Sequence, residues 1–187
     1  MTGAAPKITL HLVASLDGII AKKDNSVSWF ETADTYEKGT TVTEEDATAF
    51  LRKTDCYVMG SHTYEHALEL SKNYGWAYGD TPTIVLSQRN LPVERNSIQV
   101  FSGDPGALVN ELLKQNYTNV WVVGGAALVK NFLRNKLADE IRLSIVPIIL
   151  GDGLRLFDET LPEQSLRLKD LTAYKNGMVE MVYEIKK

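Results

Sequence analysis

A single cysteine in 187 residues leaves no internal disulfide and no cysteine metal cluster to consider. That residue, Cys56, lies in the apolar stretch CYVM, the setting of a small buried hydrophobe, and no metal site is expected. No basic run could neutralise a row of phosphates: 20 Lys and Arg face 24 Asp and Glu, for a formal charge of −4. Nucleic acid is therefore not an expected partner. No segment reaches the about eighteen apolar residues that span a bilayer. The N-terminal MTGAAPKITLHLVASLDG has no charged head followed by an unbroken apolar run. These absences predict a soluble, cytoplasmic protein with no membrane partner. No repeat, low-complexity block or Pro/Gly/Ser linker divides the chain, so residues 1–187 are expected to form one domain. Neither G-x-G-x-x-G nor G-x-x-x-x-G-K-[ST] occurs, which disfavours a standard Rossmann site and a P-loop.

What is present reads as strands and helices in turn, the order of an α/β fold with a largely parallel sheet. Strands are predicted at Ile8 to Leu16, Ile19 to Ala21, Cys56 to Met59, Thr83 to Leu86, Ile98 to Phe101, Val120 to Val123 and Glu140 to Ile149. Helices are predicted from Thr43 to Arg52, near His62 to Leu70, from Pro105 to about Gln115, and from Ala126 to Arg134. Asp104 is positioned to cap the third of these ahead of Pro105. The segment NYGWAYGD reads as a surface excursion. Leu166 to Tyr174 and Met178 to Ile185, around Lys175-Asn176-Gly177, predict a closing antiparallel hairpin.

Two junctions share a plan with chemical meaning. VMGSHTYE (Val58 to Glu65) and VVGGAALVKNFL (Val122 to Leu133) each run from an apolar strand through glycine into a helix start. Free N–H groups and the positive end of a helix dipole attract phosphate there, and glycine lets it approach the backbone. Two such junctions side by side would hold one pyrophosphate. Taken singly, each is equally a tight strand-to-helix turn.

Five segments in order carry a resemblance that runs along nearly the whole chain. SLDGIIA (Ser15 to Ala21), VMGSHTYE, IVLSQR (Ile84 to Arg89), VVGGAALVKNFL and LADEIRLSIVPIILGDGLRLF (Leu137 to Phe157) resemble, in that sequence, motifs of the dihydrofolate-reductase-like fold. The resemblance is to its riboflavin-biosynthesis branch especially, the reductase domain of bifunctional deaminase-reductases. It implies a three-layer α/β fold, with a mostly parallel central sheet flanked by helices and a C-terminal antiparallel hairpin. It also implies hydride transfer from NADPH to a C=N or C=O bond of a small pterin-like or pyrimidine-like heterocycle. NADH or flavin in the same groove remains open.

Carried over residue by residue, the resemblance places Gly60, Ser61, His62 and Thr63 at the cofactor phosphates, and Leu86, Ser87, Gln88 and Arg89 at the adenosine end. Gly124, Gly125, Ala126, Ala127 and Leu128 fall at the pyrophosphate and nicotinamide side, and Ala14 and Ile20 line the nicotinamide. His62 reads equally as a solvated first-turn histidine. Ser61 stands where dihydrofolate reductases often carry an arginine for the 2′-phosphate, which leaves Arg89 and Ser87 for that task. The Asp-x-Pro segment that riboflavin-pathway enzymes use for a ribose-phosphate has no counterpart in SKNYGWAYGD.

Asp17 is the first candidate for the catalytic acid, with an Asp-Gly turn as its other reading. Asp46 is the second catalytic candidate and Glu45 a substrate-binding one; both read equally as first-turn helix acids. Trp29, Trp76 and Tyr78 are candidates to stack on a flat heterocycle, Trp29 foremost as a substrate-binding residue, or else to serve packing. The strand from Glu140 and the C-terminal hairpin offer an edge for a homodimer, as in the riboflavin-type reductases. From a different class, a non-catalytic nucleotide-binding or scaffold dimer with the same fold is the alternative.

Overall fold

A computed structural model describes residues 5–31, 35–41, 43, 51–157 and 160–187. Its frame is an eight-stranded sheet. The strands in chain order are β1 (Lys7–Ser15), β3 (Cys56–Gly60), β4 (Thr83–Leu86), β5 (Ile98–Phe101), β6 (Asn119–Gly124), β7 (Glu140–Val146), β9 (Leu166–Ala173) and β10 (Val179–Ile185). In space they run β5-β4-β3-β6-β1-β7-β10-β9. The first six are mutually parallel, and β10 pairs antiparallel with both β7 and β9. Two short strands, β2 (Ile19–Ala21) and β8 (Leu154–Arg155), form a separate antiparallel pair.

Alternation along the strands sorts residues between two covered faces. On one face Ile8, Leu10, Leu12, Val58, Ile84, Val120 and Val122 pack with leucines and Phe132 of two helices. These are α2, residues 105–116, and α3 (Ala126–Arg134). On the other face α1 (Ser61–Tyr74) sets Tyr64 against Met59 and Val85. Helices, sheet and helix make the three layers expected.

Asp104 caps α2 by accepting a 2.9 Å hydrogen bond from the Ala107 N–H, as its place before Pro105 predicts. The run then winds more widely over Leu108–Leu113. Three boundaries differ from the sequence reading. α1 continues past Leu70 to Tyr74, where Gly75 stops it at φ +77°, a conformation glycine adopts freely. β1 ends at Ser15, leaving Leu16 exposed. β7 ends at Val146 rather than Ile149, because Pro147 has no N–H to continue a ladder. Of the predicted Thr43 to Arg52 helix, residues 51–53 are helical, and Asp46 and Glu45 lie outside the described residues. Trp76 and Tyr78, weighed as stacking platforms, instead interlock with Tyr57 and Tyr64 at ring separations of 4.9–6.1 Å. The NYGWAYGD loop is thus tied down by its own aromatics.

Candidate functional site

β3 and β6 are neighbours, with Met59 in register with Gly124. From β3 the chain leaves through α1 toward β4 on one side. From β6 it leaves through α3 toward β7, beyond β1 on the other. Adjacent parallel strands whose connections depart in opposite directions open a crevice beyond their C-terminal ends. Both glycine junctions stand at that crevice. Gly60 is the residue before α1 and Gly125 the residue before α3, and no side chain caps either helix. The first-turn N–H groups of Ser61, His62 and Thr63 and of Ala126, Ala127 and Leu128 therefore point toward one place.

The space between them exists because the residues are glycines. A Cβ on Gly60 would stand 3.8 Å from the Gly124 carbonyl and the Gly125 nitrogen, and one on Gly125 would stand 3.4 Å from the Thr63 hydroxyl. Gly124 itself takes φ +134°, which side chains disfavour, and its peptide with Gly125 is cis.

On the β4 side, Gly60 is in register with Leu86, so Ser61 and Ser87 emerge next to each other. Here the polar side chains hold one another. The Ser87 hydroxyl accepts from the Arg89 backbone N–H at 3.0 Å, the Ser102 hydroxyl donates to the Gln88 side-chain amide oxygen at 3.0 Å, and Arg89 pairs with Glu65 at 2.8 Å. His62 is exposed on the first turn of α1.

On the β1 side, Ala14 is fully buried, Ile20 half-buried, and the Asp17 carboxylate is enclosed by donors. The Ser15 hydroxyl donates to it at 2.6 Å, the Leu150 N–H at 3.1 Å and the Gly151 N–H at 2.7 Å. Led by the Ser15 and Leu150 bonds, these lower its pKa to about 2. Asp17 fastens the turn after β1 to the 148–151 segment.

Trp29 is buried, packed edge-on against Phe30 at 4.6 Å, with an indole N–H that has no partner among the described residues. A buried donor without an acceptor is costly, so this N–H suits a group brought in by a ligand.

Sequence reasoning missed a polar group on the α1 face of the sheet. His11 lies opposite Arg142, and Val13, Ser144 and Glu180 share one row across β1, β7 and β10. Glu180 accepts from Arg142 at 2.6 Å and from Ser144 and Tyr174 at 3.3 Å, and His11 Nε2 stands 3.6 Å away. The imidazole stacks on Trp121 at 4.5 Å. Burial opposes the charge of Glu180, yet His11 and Arg142 outweigh it and hold the carboxyl at about 2. A histidine between leucines in KITLHLVAS was the available signal.

No helix among the described residues is long and apolar enough to cross a membrane, and no group of three or more potential metal ligands occurs among them.

The RibD C-terminal domain family matches residues 6–180. The uncharacterized protein YwjB of Bacillus subtilis (strain 168) is 31% identical over 164 residues, covering 87% of this chain and 89% of its own. YyaP of the same organism is 26% identical over 188 residues, covering 95% and 94%. A solved structure of a putative riboflavin biosynthesis protein from Shewanella sp. PV-4 superposes with a TM-score of 0.81 at 24% identity, covering 97% of this chain and 99% of that one. The diaminohydroxyphosphoribosylaminopyrimidine deaminase/5-amino-6-(5-phosphoribosylamino)uracil reductase of Thermotoga maritima gives 0.68 at 14% identity, covering 97% and 57%. Both structures share the layered fold laid out above. With the family match spanning nearly all of its length, the chain belongs to the RibD C-terminal domain family.

Proposed function

We propose that this protein is a reductase that uses NADPH to reduce a C=N or C=O bond of a small pterin-like or pyrimidine-like heterocycle. The observation that carries the reading is the pair of uncapped helix N-termini facing one glycine-lined crevice at β3 and β6. Glycine at these positions leaves the backbone open to an anionic group, and a pyrophosphate has the size and charge to bridge the two sides of that cradle. Family membership and the riboflavin-pathway reductase named among the structural neighbours support the same reading.

In this reading the pyrophosphate lies at the β3–β6 boundary and a dinucleotide extends to both sides of it. One arm runs over β4, to Leu86, Ser87, Gln88 and Arg89; the other runs over β1, to Ala14 and Ile20. The bound cofactor supplies the hydride, and the protein's part is to align donor and acceptor and to keep water out. On the substrate side, the Trp29 N–H offers a donor, and Ser144 and Glu180, with His11 nearby, offer a polar floor beside β1. Asp17 keeps the turn carrying Ile20 against the 148–151 segment.

The test is a fluorescence titration with NADPH, followed by NADPH absorbance with pterin and aminopyrimidine acceptors. Binding with turnover supports the reductase. Binding with no turnover on any acceptor moves the protein to the alternative, a cofactor-holding scaffold, and no binding removes the cofactor site.

A further inference from the structure

The slot between α1 and the end of β4 holds a feature that the assignment of Arg89 to a 2′-phosphate does not use. Glu65 lies one helical turn beyond Ser61 on the same stripe of α1, and its carboxylate accepts a 2.8 Å hydrogen bond from the Arg89 guanidinium. Ser61 brings no charge to the slot, and the Ser87 hydroxyl is occupied by the Arg89 backbone. Arg89 is thus the guanidinium left to meet a 2′-phosphate here, and it already has an anion. A phosphate entering this slot meets a guanidinium whose charge is shared and a carboxylate that repels it. A free ribose 2′-hydroxyl meets the same carboxylate as a hydrogen-bond acceptor, the arrangement by which acidic residues select NADH over NADPH. Hydrogen bonding from Arg89 also keeps the Glu65 carboxyl below the usual carboxylate range, so it remains charged at neutral pH.

We infer that Glu65 is a specificity-determining residue: by engaging Arg89 it removes the advantage of the 2′-phosphate and leaves a site that takes NADPH and NADH with similar affinity. The inference rests on the nicotinamide reading of the crevice. It extends that reading by giving the discriminating role to a residue beside the 2′-phosphate position rather than at the cofactor's reactive end. Both side chains of the pair are about half exposed, so their exchange for neutral groups leaves the core untouched.

The experiment is a set of binding titrations on the intact protein and on Glu65→Gln, Arg89→Ala and the double variant. The ligands are NADPH, NADH and the adenosine-arm probes 2′,5′-ADP and 5′-AMP. Wild-type affinities for NADPH and NADH are expected to lie within about tenfold of each other. Glu65→Gln should tighten NADPH and 2′,5′-ADP by about tenfold, leaving NADH and 5′-AMP unchanged or slightly weakened. Adding Arg89→Ala should erase that gain, since the released guanidinium is its source. A NADPH-to-NADH ratio that does not move in Glu65→Gln overturns the inference while leaving the cofactor site standing. So does a gain that survives loss of Arg89. A wild-type protein that binds neither dinucleotide overturns the nicotinamide reading itself, and this inference with it.

Discussion

The carboxylate of Asp17 accepts a 2.7 Å hydrogen bond from the backbone N–H of Gly151, 134 residues away in sequence. With the bond from Leu150 and the Ser15 hydroxyl on the other oxygen, it closes the turn after β1 onto the segment after β7. Both oxygens are acceptors, so an amide in their place turns one partner from donor–acceptor to donor–donor. Asp17→Asn is expected to speed hydrogen exchange at Leu150 and Gly151 by about tenfold or more, as local opening becomes easier. NADPH affinity should fall only modestly. Unchanged exchange together with lost turnover would place Asp17 in the chemistry.

Gly125→Val is expected to remove NADPH binding from a folded protein. Gly125 has φ −85°, which any residue accepts, and its Cβ would only touch the Thr63 hydroxyl at 3.4 Å. The two further methyl groups then stand where a pyrophosphate would approach the first turn of α3. Affinity should drop by at least about a hundredfold, ~2.7 kcal/mol. A folded variant with wild-type affinity, by circular dichroism and titration, would put the cofactor elsewhere.

We propose that the expected homodimer forms through the sheet half that no described helix covers. On β9, Leu166, Leu168 and Leu171 are 40%, 52% and 58% exposed, and they share a face with Met181 and Tyr183 of β10. An apolar sheet face of this extent marks an interaction site, and a twofold axis would pair it with itself. Leu168→Glu should convert the protein to a monomer by light scattering. A wild-type monomer at tens of micromolar, on the order of a weak dimer's dissociation constant, would refute the pairing.

Local signals made the layers and both glycine junctions readable. Apolar runs, Asp104 before Pro105 and glycine before Ala126 each act over a few residues. That the junctions meet depended on Met59 falling in register with Gly124, a fact of strand order that no single segment carries. How Asp17 is held was not legible, because two of its three partners are backbone N–H groups, which have no signature in sequence. The polar group, hinted at only by His11 between leucines, was nearly hidden for a related reason. His11, Arg142, Ser144, Tyr174 and Glu180 come from separate segments, and each taken alone reads as the wet side of an alternating strand.

Glu180 makes the last prediction, about acid stability. Its carboxyl, buried to 7% exposure, is held at about 2 against an ordinary 4.5 by His11 and Arg142, despite the opposing cost of burial. A carboxyl whose folded pKa lies below its unfolded one adds stability that is fully present above about 4.5 and is lost as pH falls toward 2. The separation corresponds to about 3 kcal/mol. Glu180→Gln removes that contribution, so at pH 7 it should cost about 3 kcal/mol in chemical denaturation. The difference between wild type and variant should shrink steadily from pH 5 to pH 2, because protonation removes the same charge from the wild type. A gap that stays constant over that range would mean that Glu180 acts through packing alone. No gap at pH 7 would mean that its contacts with Arg142 and His11 contribute nothing net to the fold.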